Sequence, residues 1–153
     1  MLGELQKYEI KSEILKAGDY QPDHTDDTGQ LDIAKKLAAK VNESNGLVIV
    51  SPEYNHSYPG ELKLMLDMLY DEYKYKPVGI CGVSKGGFGG TRVVELLKLL
   101  AVTINMIPLN KAMYFTNVRE LFDEQGQITD QEYVGKVKSF IDSLTELISK
   151  IKQ

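Results

Sequence analysis

Residues 46–60 read GLVIVSPEYNHSYPG, and this stretch decides the fold. Leu47-Val48-Ile49-Val50 is a short apolar run bounded by Gly46 and by Ser51-Pro52. That pattern predicts a strand buried on both faces, as in a parallel sheet. The strand stops at a proline and gives way to a polar, aromatic loop, Glu53 to Tyr58. Pro59 then precedes a segment predicted to be helical from Gly60 to about Tyr73. In open α/β sheets, a buried strand that opens into a polar loop and then a helix is where ligands bind.

The same pattern recurs downstream. Pro77 to Val83 (PVGICGV) predicts a second buried strand, Ser84 to Gly90 (SKGGFGG) a second loop, and Thr91 onward a second helix. Thr103 to Ile107 predicts a third buried strand ended by Pro108, and 109–128 an irregular segment. Thr129 with Glu132 forms a capping box for a last helix whose stripe is Val134, Val137, Phe140 or Ile141, Leu144, Ile148 and Ile151. Upstream, Leu31, Ala34, Leu37, Ala38 and Val41 mark a helix face up to about Asn42, with Asp27 or Thr28 as its cap. Tyr8, Ile10, Ser12 and Ile14 alternate with charged residues and predict an edge strand, and 1–7 reads as the last turns of a helix. Strands alternating with helices imply one parallel sheet with helices on both faces. With 153 residues, the chain makes a single domain over 1–153.

The loops suggest the chemistry. Tyr54 and Tyr58 offer flat surfaces beside backbone N–H groups that the prolines keep out of regular structure. The second loop is rich in glycine, which lets backbone approach a ligand closely and lets N–H groups converge at a helix N-terminus. Two such loops side by side suit a flavin ring, with hydrogen bonds donated to the N1–C2=O edge where negative charge grows on reduction.

SPEYNHSYPGELK and SKGGFGG, at this separation, resemble the NADPH-dependent FMN reductase family of the flavodoxin-like superfold. The 121–126 stretch (LFDEQG) also resembles the family's segment before its last helix. The resemblance implies that Pro52, Glu53, Tyr54 and Asn55 border the flavin ring and ribityl chain. It implies that Ser84, Lys85, Gly86 and Gly87 meet the ring. It further implies FMN as cofactor, NAD(P)H as co-substrate, hydride transfer from nicotinamide to flavin, and a small-molecule acceptor such as a flavin or quinone. No side chain is assigned a catalytic role, and no metal is expected. Within the family the chain reads as N-terminally truncated. The first strand is missing between Tyr8–Ile14 and Leu47–Val50, and with it the Gly-Ser-x-Arg-type loop that wraps the FMN phosphate. The alternative reading is therefore a non-catalytic flavodoxin-like binding or oligomerisation remnant with weak or no FMN binding. Leu64 and Met68 stand where the family often has asparagine and tryptophan.

Leu62, Leu64, Met65, Leu66, Met68, Leu69 and Tyr70 wrap apolar surface most of the way round their helix. This predicts a homodimer or homotetramer through helix 61–70, with Tyr58 at the contact. The remaining chemistry-bearing residues have plainer readings. His56 is a loop or subunit-contact residue, His24 a solvated one, and Cys81 a small core residue. Asp23, Asp26 and Asp27 lack the spacing of a calcium loop. Net charge is −4 with no basic stripe, which disfavours nucleic acid. No apolar run is long enough to span a bilayer, no signal peptide is visible, and the cytoplasm is the expected compartment.

Overall fold

The computed structural model describes residues 2–24 and 28–151. Four strands form one parallel sheet: β1 (Leu47–Pro52), β2 (Pro77–Val83), β3 (Ile107–Pro108) and β4 (Met113–Phe115). β2 is central. It pairs with β1 along its whole length, Leu47 opposite Val78 and Pro52 opposite Val83. On its other side it pairs first with β3 and then with β4. The helices are α1 (Leu2–Lys7), α2 (Asp32–Glu43), α3 (Gly60–Asp67), α4 (Thr91–Thr103), α5 (Val118–Leu121) and α6 (Gln131–Ile151). The fold is flavodoxin-like, with helices on both faces of the sheet.

The two faces follow from strand alternation. Val78 and Ile80 of β2 join Ile49 of β1 in a core with Leu37 of α2, Met65 and Leu66 of α3, and Val94 and Leu97 of α4. Cys81 points the other way, into a core with Val137, Phe140 and Ile141 of α6, against which Leu5 of α1 packs. Gly79 lies on that second face because the Phe140 ring sits where its Cβ would be. Burying that ring contributes roughly 1.5–3 kcal/mol.

Several sequence expectations are corrected. Tyr8 to Ile14 forms no strand: the chain leaves α1 through Glu9 at φ 56 and runs on without a ladder. Alternation gives a strand its faces, but only a hydrogen-bonded neighbour makes it one, and none is present among the described residues. For the same reason β1 has one open edge among the described residues, and Val50 is 53% exposed rather than buried on both faces. The helix after Pro59 ends at Asp67, and a 3-10 turn at Asp71–Tyr73 follows. Thr103 belongs to α4, not to a strand. The helix closes in a Schellman motif, with Asn105 at φ 60, Asn105 N–H donating to Val102 and Met106 N–H donating to Ala101. The strand there is therefore cut to Ile107–Pro108, and the nominally irregular stretch supplies β4 and α5. At α6 the cap is Asp130, whose Oδ1 accepts from Glu132 N–H at 2.8 Å. The hydroxyl of Thr129 instead faces the Leu121 carbonyl at 3.4 Å. Of the proposed caps for α2, Asp27 lies outside the described residues, and Thr28 accepts from Gln30 N–H in a local turn.

Candidate functional site

Because β1 and β2 are parallel and end level, Pro52 opposite Val83, their following loops emerge on one rim of the sheet. The first loop is more ordered than its prolines suggest. Tyr54 and Ser57 exchange two backbone hydrogen bonds of 2.8 Å, and Asn55 and His56 between them have φ 47 and 66. This is a type I′ turn. The N–H groups of Tyr54 and Ser57 are thus used inside the turn, contrary to the expectation that the loop's donors are free. Asn55 and His56 are pushed outward and exposed, and Tyr54 is 61% exposed. Pro52 is half-buried at the strand end.

The second loop is held by Ser84. Its hydroxyl donates to the Gly86 carbonyl at 2.7 Å and accepts from Gly89 N–H at 2.9 Å. Its backbone is fixed to β4 and α5, Ser84 N–H donating to Phe115 and Val118 N–H to Ser84. Ser84 therefore shapes the loop from within. The loop's glycines divide into two kinds. Gly89 and Gly90 have φ 59 and 75, and a Cβ would meet Tyr114 Cβ at 2.7 Å or Val83 N at 3.0 Å. Those two serve the fold. Gly86 and Gly87 have no left-handed φ, and a Cβ on either would meet nothing within 4 Å. The fold does not ask for glycine there, and the open space leaves room for a ligand to approach the backbone.

Among the described residues, the N–H groups of Lys85, Gly86, Gly87 and Phe88 have no hydrogen-bond acceptor. They lead into α4, whose N-terminus adds partial positive charge. Lys85 and its two following glycines are exposed, and the Lys85 ammonium makes no ion pair among the described residues. An electron-rich ring edge fits this array: open space over two glycines, unspent donors and a cation.

Glu53 bridges the loops. Its carboxylate accepts from the backbone N–H of Arg92 at 3.2 Å and from the Arg92 guanidinium at 3.0 Å. Burial opposes the ionised form. The hydrogen bonds and charge of Arg92, with the Val93 N–H, outweigh it and hold the carboxyl below the usual carboxylate range. The Glu53 carboxylate is thus committed to Arg92. This contribution is present above the ordinary value of 4.5 and is lost as pH falls through the lowered value.

A third loop was not singled out from sequence. Asn117, at φ 45, donates its N–H to the Gly86 carbonyl at 3.1 Å, and Thr116 Oγ1 lies 2.6 Å from the Tyr133 hydroxyl. Arg92 was also missed. A cation in the first turn of a helix opposes the dipole, and that was the available signal that an anion sits nearby. Cys81 is fully buried and burial pushes its thiol up to about 12, as suits a core residue. His24 is exposed, as is Asp23; Asp26 lies outside the described residues.

Comparisons with known proteins identify the family. A sequence model of the NADPH-dependent FMN reductase family matches residues 1–120. A quinone reductase of Escherichia coli (strain K12) is 29% identical over 139 residues, covering 87% of this chain and 74% of that protein. An FMN-dependent NADPH-azoreductase of Staphylococcus saprophyticus is 30% identical over 115 residues, covering 73% of this chain and 61% of that one. The solved structure of FerB, a flavoenzyme NAD(P)H:(acceptor) oxidoreductase from Paracoccus denitrificans, superposes with a TM-score of 0.84 at 25% identity, covering 97% of this chain and 86% of that one. The chain belongs to the NADPH-dependent FMN reductase family, a family of flavin-dependent oxidoreductases.

Proposed function

We propose that this chain binds FMN between its first and second loops and acts as an NAD(P)H-dependent reductase of a small acceptor, a flavin, a quinone or a similar molecule. The observation that carries this reading is the run of unspent N–H groups from Lys85 to Phe88 over the open Gly86 and Gly87. FMN, when bound, would supply the redox chemistry, two-electron transfer from the nicotinamide to the acceptor. The chain supplies placement. Gly86 and Gly87 admit the ring, the loop N–H groups and the α4 N-terminus favour electron density at its edge, and Lys85 adds positive charge. Pro52, Tyr54 and Asn55 form the opposite wall, and Glu53 holds that wall in place. Ser84 keeps the donor loop in shape. The cytoplasm is the proposed compartment; no described helix is long and apolar enough to cross a membrane.

Purified protein mixed with FMN under anaerobic conditions should bleach the flavin band on addition of NADPH, and a quinone should restore it. Protein that neither takes up FMN nor consumes NADPH would defeat the proposal. A second reading, a binding module with weak FMN affinity, is favoured by the open edge of β1 among the described residues. In that case riboflavin and FMN bind about equally, because the phosphate gains no partner.

A homodimer or homotetramer remains part of the proposal, with its surface relocated. In helix 61–70, Met65, Leu66, Met68 and Leu69 are buried in the chain's own core, Leu62 and Leu64 are half-buried, and of the apolar residues Tyr70 alone is exposed. The exposed apolar stripe lies on α4, with Leu96 at 39%, Leu99 at 66% and Val102 at 59% exposure, three residues apart on one helix face. Tyr70 borders it through its hydroxyl, which accepts from Asn105 at 2.9 Å. Sedimentation velocity should show Leu99→Glu protein as a monomer beside a wild-type dimer. Identical sedimentation of the two would refute this surface.

A further inference from the structure

We propose that Glu53 is a positioning residue that latches the first loop to the second through Arg92, rather than a contact to the flavin. This rests on the flavin reading above. The structure gives the latch three links. Glu53 follows β1 directly, and its own N–H is anchored to the Val83 carbonyl of β2 at 3.4 Å. Its carboxylate, on a side chain only 12% exposed, holds Arg92 at both the backbone N–H and the guanidinium. The Arg92 guanidinium in turn lies 5.7 Å from the centre of the Phe88 ring, in the loop that carries the unspent donors. Thr91 reinforces the last link, its hydroxyl donating to the Phe88 carbonyl at 2.6 Å.

The charges explain why this pair sits here. Arg92 stands in the first turn of α4, the end of a helix where a cation is least welcome. Its own guanidinium is half exposed, so solvation alone leaves it free to swing away. The Glu53 carboxylate reverses that balance. It satisfies an orphan N–H at the helix start and neutralises the guanidinium in one contact. Without Glu53, Arg92 is repelled by the helix end, Phe88 loses its cation contact, and the second loop keeps its internal bonds but loses its tie to the first loop. The latch therefore sets the separation of the two walls between which the ring slides.

The pair predicts a non-additive pattern. Glu53→Gln leaves an unneutralised cation at the helix start, and Arg92→Gln leaves a carboxylate with one partner lost. The double variant carries neither charge and joins two amides able to hydrogen-bond. We therefore expect each single variant to weaken FMN binding about tenfold, and the double variant to bind no worse than either single. In the flavin-free protein, hydrogen exchange of the bonded Gly89 and Thr91 amides, which donate to the Ser84 hydroxyl and the Phe88 carbonyl, should accelerate in Glu53→Gln and slow again in the double variant. Asp142→Asn, on the far side of the sheet, serves as the control and should match wild type in both measurements. Additive losses in the double variant, or Gly89 and Thr91 exchange in Glu53→Gln equal to wild type, would overturn the latch. The exchange readout needs no flavin. Failure of the flavin reading would show instead as wild-type protein that fails to quench FMN fluorescence.

Discussion

Replacing Gly86 with valine is expected to weaken FMN binding roughly hundredfold while leaving thermal stability within about 0.5 kcal/mol of wild type. The stability half of the prediction follows from the open space. A Cβ at Gly86 meets nothing within 4 Å, and the residue has no left-handed φ for a side chain to strain. The binding half follows from what the side chain would occupy. It would stand between the ring edge and the N–H groups of 85–88. Two hydrogen bonds at about 1.4 kcal/mol each account for the hundredfold loss. Fluorescence titration and a melting curve on the same sample check both halves. A variant that binds FMN as wild type does would show that the ring does not lie over this glycine.

Gly82→Ala is expected to have the opposite profile, losing stability first and binding as a consequence. Gly82 is a β2 residue, and the second loop folds back directly onto it. A Cβ there would run into the Gly89 carbonyl oxygen, and would lie 2.8 Å from the Gly90 oxygen and 2.9 Å from Val94 Cγ2. Two of these neighbours are backbone and cannot rotate away. Overpacking of this kind costs about 2–3 kcal/mol, which for a domain of this size lowers the melting temperature by roughly 5–10 °C. The loop must lift off β2 to make room, so FMN affinity should fall more than tenfold even at temperatures where the protein stays folded. A wild-type melting temperature for Gly82→Ala would mean that the loop does not rest on the strand as described.

These two glycines also show where the sequence is informative. Both stand in the stretch 82–90, and composition alone treats them alike. A glycine-rich turn after a buried strand announces a loop that something approaches, and that much was legible. Which glycine serves the fold and which the ligand depends on what lies across from each, and the Tyr114 contact to Gly89 comes from a strand that the sequence did not reveal. β4 is only three residues long, too short for a period to register. β1 and β2 were legible because their apolar runs are bounded by glycine and proline. The 8–14 segment misled because alternation is a property of the segment, whereas a ladder needs a neighbour. The Glu53–Arg92 contact spans 39 positions, and nothing local to either residue names its partner. The reading of helix 61–70 as over-apolar was right about composition. It was wrong about exposure, because the core of this small sheet is deep enough on that side to take most of the helix.

The central claim is that the loops after β1 and β2 form two walls of one slot for a flavin ring. Backbone amide shift mapping of the flavin-free protein during titration with FMN tests it most directly. The account predicts that the amides of Lys85 to Phe88 and those of Asn55 and His56 shift together, along one saturation curve. Shifts confined to one loop, or centred elsewhere on the sheet, would contradict it.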